Sequence, residues 1–158
     1  FGSRVDDTMR GGDIDLLVKD SEKEFWKELF TDAGYSVLHD MPAFIQFSAP
    51  SVADWPIDLM LVDDSTFEAV FEESGKAEIN GIRIPVPAIH HCIALKLHAL
   101  SSGQADRQLK DTDDILGLLE RSDINPDGDE FRELCLEFGS EDIYTRLTQL
   151  IKERQNDS

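Results

Sequence analysis

The sequence predicts an α+β fold, a mixed sheet with flanking helices followed by a helical C-terminal half. Three observations carry this expectation. Apolar runs of strand length crowd into the first half of the chain. From Ala88 onward the apolar residues recur at helical spacing. Turn signals separate the early runs, the strongest being Asn80-Gly81. At 158 residues, the chain is one domain of ordinary size or one domain with a helical appendage, long enough to bury about two-thirds of its unfolded surface.

The organising stretch is the beginning, Phe1-Gly2-Ser3-Arg4, then a polar loop, then Gly12-Asp13-Ile14-Asp15-Leu16-Leu17-Val18. Residues 13–18 read as a buried strand. Asp13 and Asp15, two apart at its head, leave the same face of the sheet. Carboxylates about 6 to 7 Å apart on one strand repel by roughly 2 to 3 kcal/mol at an effective dielectric near 20, so a cation is expected between them. Mg²⁺ suits the position, because it takes one or two protein carboxylates and completes its shell with water and phosphate oxygens. Gly2 and Ser3 offer what a triphosphate needs, a backbone free to approach closely followed by a hydroxyl and successive N–H donors.

Downstream, Ser21 to Ala33 reads as a helix opened by Ser-x-x-Glu, with Phe25, Trp26, Leu29 and Phe30 on one stripe and Gly34 as its stop. Ser36 to His39 and Phe44 to Phe47 form a hairpin or adjoining strands joined through Met41-Pro42. Trp55 to Val62 is a further strand, and Asp63-Asp64-Ser65 caps a short helix to Glu73. Ala77 to Pro85 is a hairpin around Asn80-Gly81. Helices follow at Ala88 to Ser102, Lys110 to Glu120, Asp129 to Phe138 and Glu141 to Arg154.

Asp58 interrupts an otherwise apolar strand, Pro56-Ile57-Asp58-Leu59-Met60-Leu61-Val62, and such an interruption is costly unless the charge is paired or binds metal. Beside Asp13 and Asp15 it would complete a three-carboxylate cage for two ions about 3.5 to 4 Å apart. On the first C-terminal helix, Lys96 falls in the middle of an apolar arc formed by Ile89, Ile93 and Leu100, flanked by Cys92 and Leu97. Either its stem snorkels to a charged partner, or its ammonium reaches a buried anion such as a nucleotide phosphate or an active-site carboxylate. Asp111 shares a face with Ile115, Leu118 and Leu119, the other reading being a helix cap with Asp113 and Asp114. His90, His91 and His98 read as surface residues, since they lack H-E-x-x-H or Cys/His zinc spacing.

The formal net charge of −18 opposes a broad footprint for nucleic acid; surplus acid usually serves solubility, and it would also draw in a cationic small molecule or a basic protein. A local basic patch of Lys96, Arg107 and Lys110 could still steer a phosphate. Cys92 and Cys135 are far apart without a C-x-x-C pattern, as expected of reduced core thiols in a cytoplasmic protein. No secretory or membrane-spanning segment is indicated. Because the motif is already under way at Phe1, an upstream helix or strand is expected.

Phe1-Gly2-Ser3, Asp13-Ile14-Asp15 and Asp58 together resemble the polymerase-beta-like nucleotidyltransferases. Ile84-Pro85-Val86-Pro87, Ile93 to Leu100, Arg107 and Lys110-Asp111-x-x-Asp114-Ile115 resemble the branch of abortive-infection toxins of the AbiEii/AbiGii type. The resemblance covers roughly Phe1 to Glu120. It implies an N-terminally truncated catalytic core at 1–87 and a helical region packed on it at 88–158. It further implies that Gly2, Ser3 and Lys96 bind the triphosphate of ATP or another NTP, and that Asp13, Asp15 and Asp58 hold two Mg²⁺ ions. By the same resemblance Asp58 would also activate the acceptor, with Arg4, Lys110 and Asp111 in support. The implied reaction moves an NMP from the NTP to a hydroxyl on a tRNA end, a small molecule or a protein. A toxin–antitoxin or phage-defence role, with an antitoxin partner, belongs to the same expectation; an antibiotic-modifying enzyme and a non-catalytic antitoxin-like module are the alternatives.

Overall fold

The computed structural model describes residues 12–101 and 105–156, without the side chains of 105–107. The fold is α+β, with a four-stranded mixed sheet, flanking helices and a helical C-terminal half. The chain divides into two compact units, 1–72 and 73–158. Among the described residues no helix is long and apolar enough to cross a membrane.

In the first unit, strands β1 (Ile14–Lys19), β2 (Ser36–Asp40), β3 (Phe44–Ser48) and β4 (Ile57–Val62) lie in the order β1-β4-β3-β2. β1 runs parallel to β4, and β3 is antiparallel to both β4 and β2. A parallel pair cannot be joined by a tight turn, so the chain must leave β1 and cross back. Helix α1 (Lys23–Asp32) and the β2–β3 hairpin occupy that crossover. Val18, Ile45, Phe47, Ile57, Leu59 and Leu61 form the buried core, against which Leu16, Trp26, Phe30 and Tyr35 pack. Alternation puts these strand residues on one face of the sheet, leaving the other face to Asp15, Gln46 and Asp58. Leu59 is fully buried, and truncating it to Ala would cost about 2 to 5 kcal/mol.

Local chemistry sets the ends of the elements. Gly34, at φ +94°, closes α1 with Gly34 N–H donating to the Thr31 carbonyl and Tyr35 N–H to the Phe30 carbonyl. That pair of bonds is the left-handed stop that glycine makes inexpensive. Helix α2 (Asp64–Glu72) is capped by Asp63, whose Oδ1 accepts from the Thr66 N–H at 2.9 Å. Bonds from Ser65 Oγ and the Thr66 N–H hold the Asp63 carboxyl down at about 2. Lys19 joins α2 to β1, its ammonium 3.3 Å from Glu68 and over the Phe67 ring.

The second unit opens with the hairpin of β5 (Gly75–Ile79) and β6 (Ile82–Val86), turned by Asn80 and Gly81 at φ 51° and 80°. Two successive positive φ values are what a two-residue hairpin turn needs. Helices α3 (Ile89–Ser101), α4 (Ala105–Glu120), α5 (Asp129–Phe138) and α6 (Glu141–Asn156) enclose a core of Ile93, Leu97, Leu100, Ile115, Leu116, Leu119, Phe131, Cys135 and Leu147. Neither Cys92 nor Cys135 is in a disulfide, and burial pushes the Cys135 thiol up to about 12.

Three expectations about elements are corrected. No capping box opens α1: residues 20–22 form a 3-10 turn, and Ser21 Oγ donates to Asp64 Oδ1 at 2.9 Å. Ser21 lies inside that turn, one residue before the Glu22 N-cap of α1, so its hydroxyl is not at the capping position and serves a tertiary contact. The apolar stripe on α1 is only half covered, with Trp26 and Phe30 on the core while Phe25 and Leu29 are exposed. Helix α4 starts five residues before Lys110, at Ala105. The one apolar residue of that extra turn with a described side chain, Leu109, is 75% exposed, so no buried stripe announces it.

Candidate metal centre

β1 begins at Ile14, so Asp13 stands at its threshold and Asp15 one residue inside. The parallel register sets Asp15 directly opposite Asp58, and Ile14 opposite Ile57. Alternation along β1 returns Asp13 to the face used by Asp15. One carboxylate oxygen from each of Asp13, Asp15 and Asp58 lies within 4.8 Å of the other two. The three differ in exposure: Asp58 is buried at 3%, Asp13 is half-buried and Asp15 is exposed.

A carboxylate as buried as Asp58 requires compensation. Gln46, its register partner on β3, donates from Nε2 to Asp58 Oδ2 at 3.3 Å. That contact fixes one oxygen's orientation. An all-oxygen set of three carboxylates matches the preference of Mg²⁺ or Mn²⁺, hard ions that accept carboxylate, carbonyl and water. The three aspartates could therefore hold a divalent cation, open to solvent on the Asp15 side. Gly12 borders the group. A Cβ there would sit 2.5 Å from the Trp55 ring, so only glycine lets the indole lie against the start of β1.

The sequence reading placed Asp13, Asp15 and Asp58 together, and the structure brings them together. Gly2, Ser3 and Arg4 lie outside the described residues, as does the Arg107 side chain. Lys96 and Asp111 pair within the second unit. Lys96 is 6% exposed, and its ammonium is 2.8 Å from Asp114 Oδ2 and 3.6 Å from Asp111 Oδ1. Within its unit the ammonium thus meets one buried and one half-buried carboxylate. Burial also removes Lys96 from any exposed basic patch. Asp111 is fully buried in the interior of α4 and so is not a cap, while Asp113 points outward to Arg154 at 2.8 Å. Lys110, one residue away on the same helix, is half-buried.

Sequence reasoning missed two features. Gln46 gave no signal, because a polar residue at an alternating strand position is ordinary. The grouping of His90 and His91 with Glu73 was also missed, since its third member lies 17 and 18 residues upstream across a hairpin. The histidines are partly exposed, as expected, but they are not isolated.

No protein-family model and no curated protein matches this sequence. Among solved structures, the chain is similar to an antigenic nucleotidyltransferase-like protein from Paracoccidioides brasiliensis, with 15% sequence identity and a TM-score of 0.41 over 91% of this chain and 71% of that one.

Proposed function

We propose that this chain transfers an NMP group from an NTP to a hydroxyl acceptor at the Asp13–Asp15–Asp58 carboxylates. The observation that supports this reading is the convergence of three carboxylate oxygens within 4.8 Å, drawn from two strands in parallel register. One or two divalent cations bound there would neutralise triphosphate charge and polarise the attacking and departing oxygens.

The chain's own residues have distinct parts. Asp13 and Asp15 supply ligands at the open side, where a nucleotide can approach. Asp58, hydrogen-bonded by Gln46, takes the acceptor's proton on this reading. The acceptor oxygen forms a bond to the α-phosphorus and the bond from that phosphorus to the bridging oxygen breaks. Pyrophosphate leaves with the electron pair. The proton from the hydroxyl passes to Asp58 and then to solvent.

Two supports bear on the acceptor class and favour different ones. The resemblance to AbiEii/AbiGii-type toxins favours a tRNA end, while the net charge of −18 favours a cationic small molecule. Incubating the chain with α-labelled NTP, Mg²⁺ and a panel of both acceptor types tests the reading. Pyrophosphate release that depends on acceptor, and falls to background in Asp13→Asn, is the expected result. Undiminished turnover in that variant overturns the assignment, and the acceptor that becomes labelled distinguishes the two classes.

A further inference from the structure

The first turn of α3 carries a second group of ligating side chains. Neighbouring residues on a helix leave its axis about 100° apart, so their side chains normally diverge. His90 and His91 instead converge. Each Nε2 lies 3.1 Å from the same atom, Oε2 of Glu73. Their ring centroids are 4.2 Å apart with planes inclined by 40°. One ligand atom from each of the three residues lies within 4.8 Å of the other two. Glu73 precedes β5 and the histidines follow β6, so the fold gathers this group across the hairpin.

We propose that Glu73, His90 and His91 form a binding site for Zn²⁺ or a transition-metal ion of similar preference. Zinc takes imidazole nitrogen at about 2.0 to 2.1 Å, which puts neighbouring ligands of a tetrahedral shell roughly 3.3 Å apart. The two 3.1 Å separations already approach that edge length, and the third, between the two Nε2 atoms, is no longer than 4.8 Å, so the partly exposed side chains need only close that edge around an ion. Two imidazoles and one carboxylate select zinc, nickel or copper, whereas the all-oxygen Asp13–Asp15–Asp58 group selects magnesium or manganese. The side chains are 41% exposed at His90, 21% at His91 and 60% at Glu73. An ion can therefore enter directly from solvent, and the fourth position remains open to water.

An ordinary hydrogen bond from one histidine to a surface glutamate would account for half of this arrangement. The second imidazole, turned against the usual divergence toward the same oxygen, is the part that a three-donor shell explains.

Titration of tag-free protein with Zn²⁺, followed by calorimetry and by imidazole nitrogen NMR, tests the site. The chain has four histidines, so the spectrum separates them cleanly. One saturating equivalent that shifts His90 and His91 but leaves His39 and His98 in place is expected. Glu73→Gln should weaken binding at least tenfold, and the double variant His90→Ala/His91→Ala should abolish it. Asp13→Asn should leave Zn²⁺ affinity unchanged. The proposal is overturned if no saturable binding occurs, if the double histidine variant binds as the parent does, or if affinity is lost in Asp13→Asn. Far-UV circular dichroism checks that each variant stays folded, and His91→Gln, which keeps a polar side chain of similar length, must also lower the affinity.

Discussion

Asp15 and Asp58 are register partners across the parallel pair β1 and β4, so their carboxylates rise side by side from one face of the sheet. Each pair of charges at such separations opposes the other by roughly 1 to 3 kcal/mol, for effective dielectrics between that of water and 20. A divalent cation turns that repulsion into attraction. Saturating Mg²⁺ or Mn²⁺ should therefore raise the melting temperature, with a gain of about 2.7 kcal/mol at a hundredfold excess over Kd. Differential scanning calorimetry of Asp58→Asn should show that gain abolished. An equal gain in the variant would place the cation elsewhere.

Gln46 touches Asp58 without being a carboxylate itself, so under the proposed function it is a positioning residue. Gln46→Leu should lower kcat for nucleotidyl transfer about 10- to 100-fold, by analogy with the loss of other outer-shell partners of metal ligands, and leave KM for the NTP nearly unchanged. Gln46→Glu keeps the size but brings a fourth carboxylate to the group, so it should be no better. Steady-state kinetics on both variants decide the matter, and a change confined to KM would argue for direct nucleotide contact instead.

Lys96 lies among Asp111 and Asp114 with little solvent contact. Removing one member of a buried ion pair strands the remaining charge, typically at about 3 to 5 kcal/mol. Lys96→Met should shift the urea midpoint accordingly, and Lys96→Met/Asp111→Leu should recover much of the loss. Should Lys96→Met unfold as the parent does yet lose NTP affinity, the lysine is instead the phosphate ligand that the family resemblance implies.

Asp63 links stability to pH. Its carboxyl is lowered from an ordinary 3.8 to about 2 in the folded state by bonds from Ser65 and Thr66. A depressed folded value means the contribution is complete above 3.8 and disappears as pH falls toward 2. Asp63→Asn preserves a good cap but cannot titrate, so its acid-unfolding curve should be flatter over that interval than the parent's. Superimposable curves would show that the cap does not govern acid sensitivity.

Cys135 is fully buried and its thiol is pushed up to about 12, leaving almost no thiolate near neutrality. A thiol reagent at pH 8 should leave Cys135 untouched in the native protein and modify it in urea. Peptide mapping of the labelled chain would reveal any native modification there.

What could be read in advance depended on how local the signal was. Asp58 stood out because a charge inside an apolar strand is expensive, and Gly34 and Asn80-Gly81 because their backbone angles exclude most other residues. Lys96 was conspicuous by position, at the centre of a helical apolar arc. Its partners were another matter, since periodicity shows that a charge is buried without showing what neutralises it. Ser21 and Glu73 mark the same limit. Ser21 had an adequate local explanation but lies one residue before the α1 N-cap and serves a tertiary contact, and Glu73 became informative only when the hairpin returned the chain to its side.

The crossover between β1 and β4 means that the acidic group cannot assemble until β4 has been made. About 40 residues of chain separate Asp15 from Asp58, and contacts over such spans form only after the intervening loop has been closed. A ribosome must therefore finish β4 before any cation can find three oxygens at once. In a growing polypeptide, a nascent chain stalled before Asp58 would present only two of the three carboxylates, and the third would arrive with completion of the sheet.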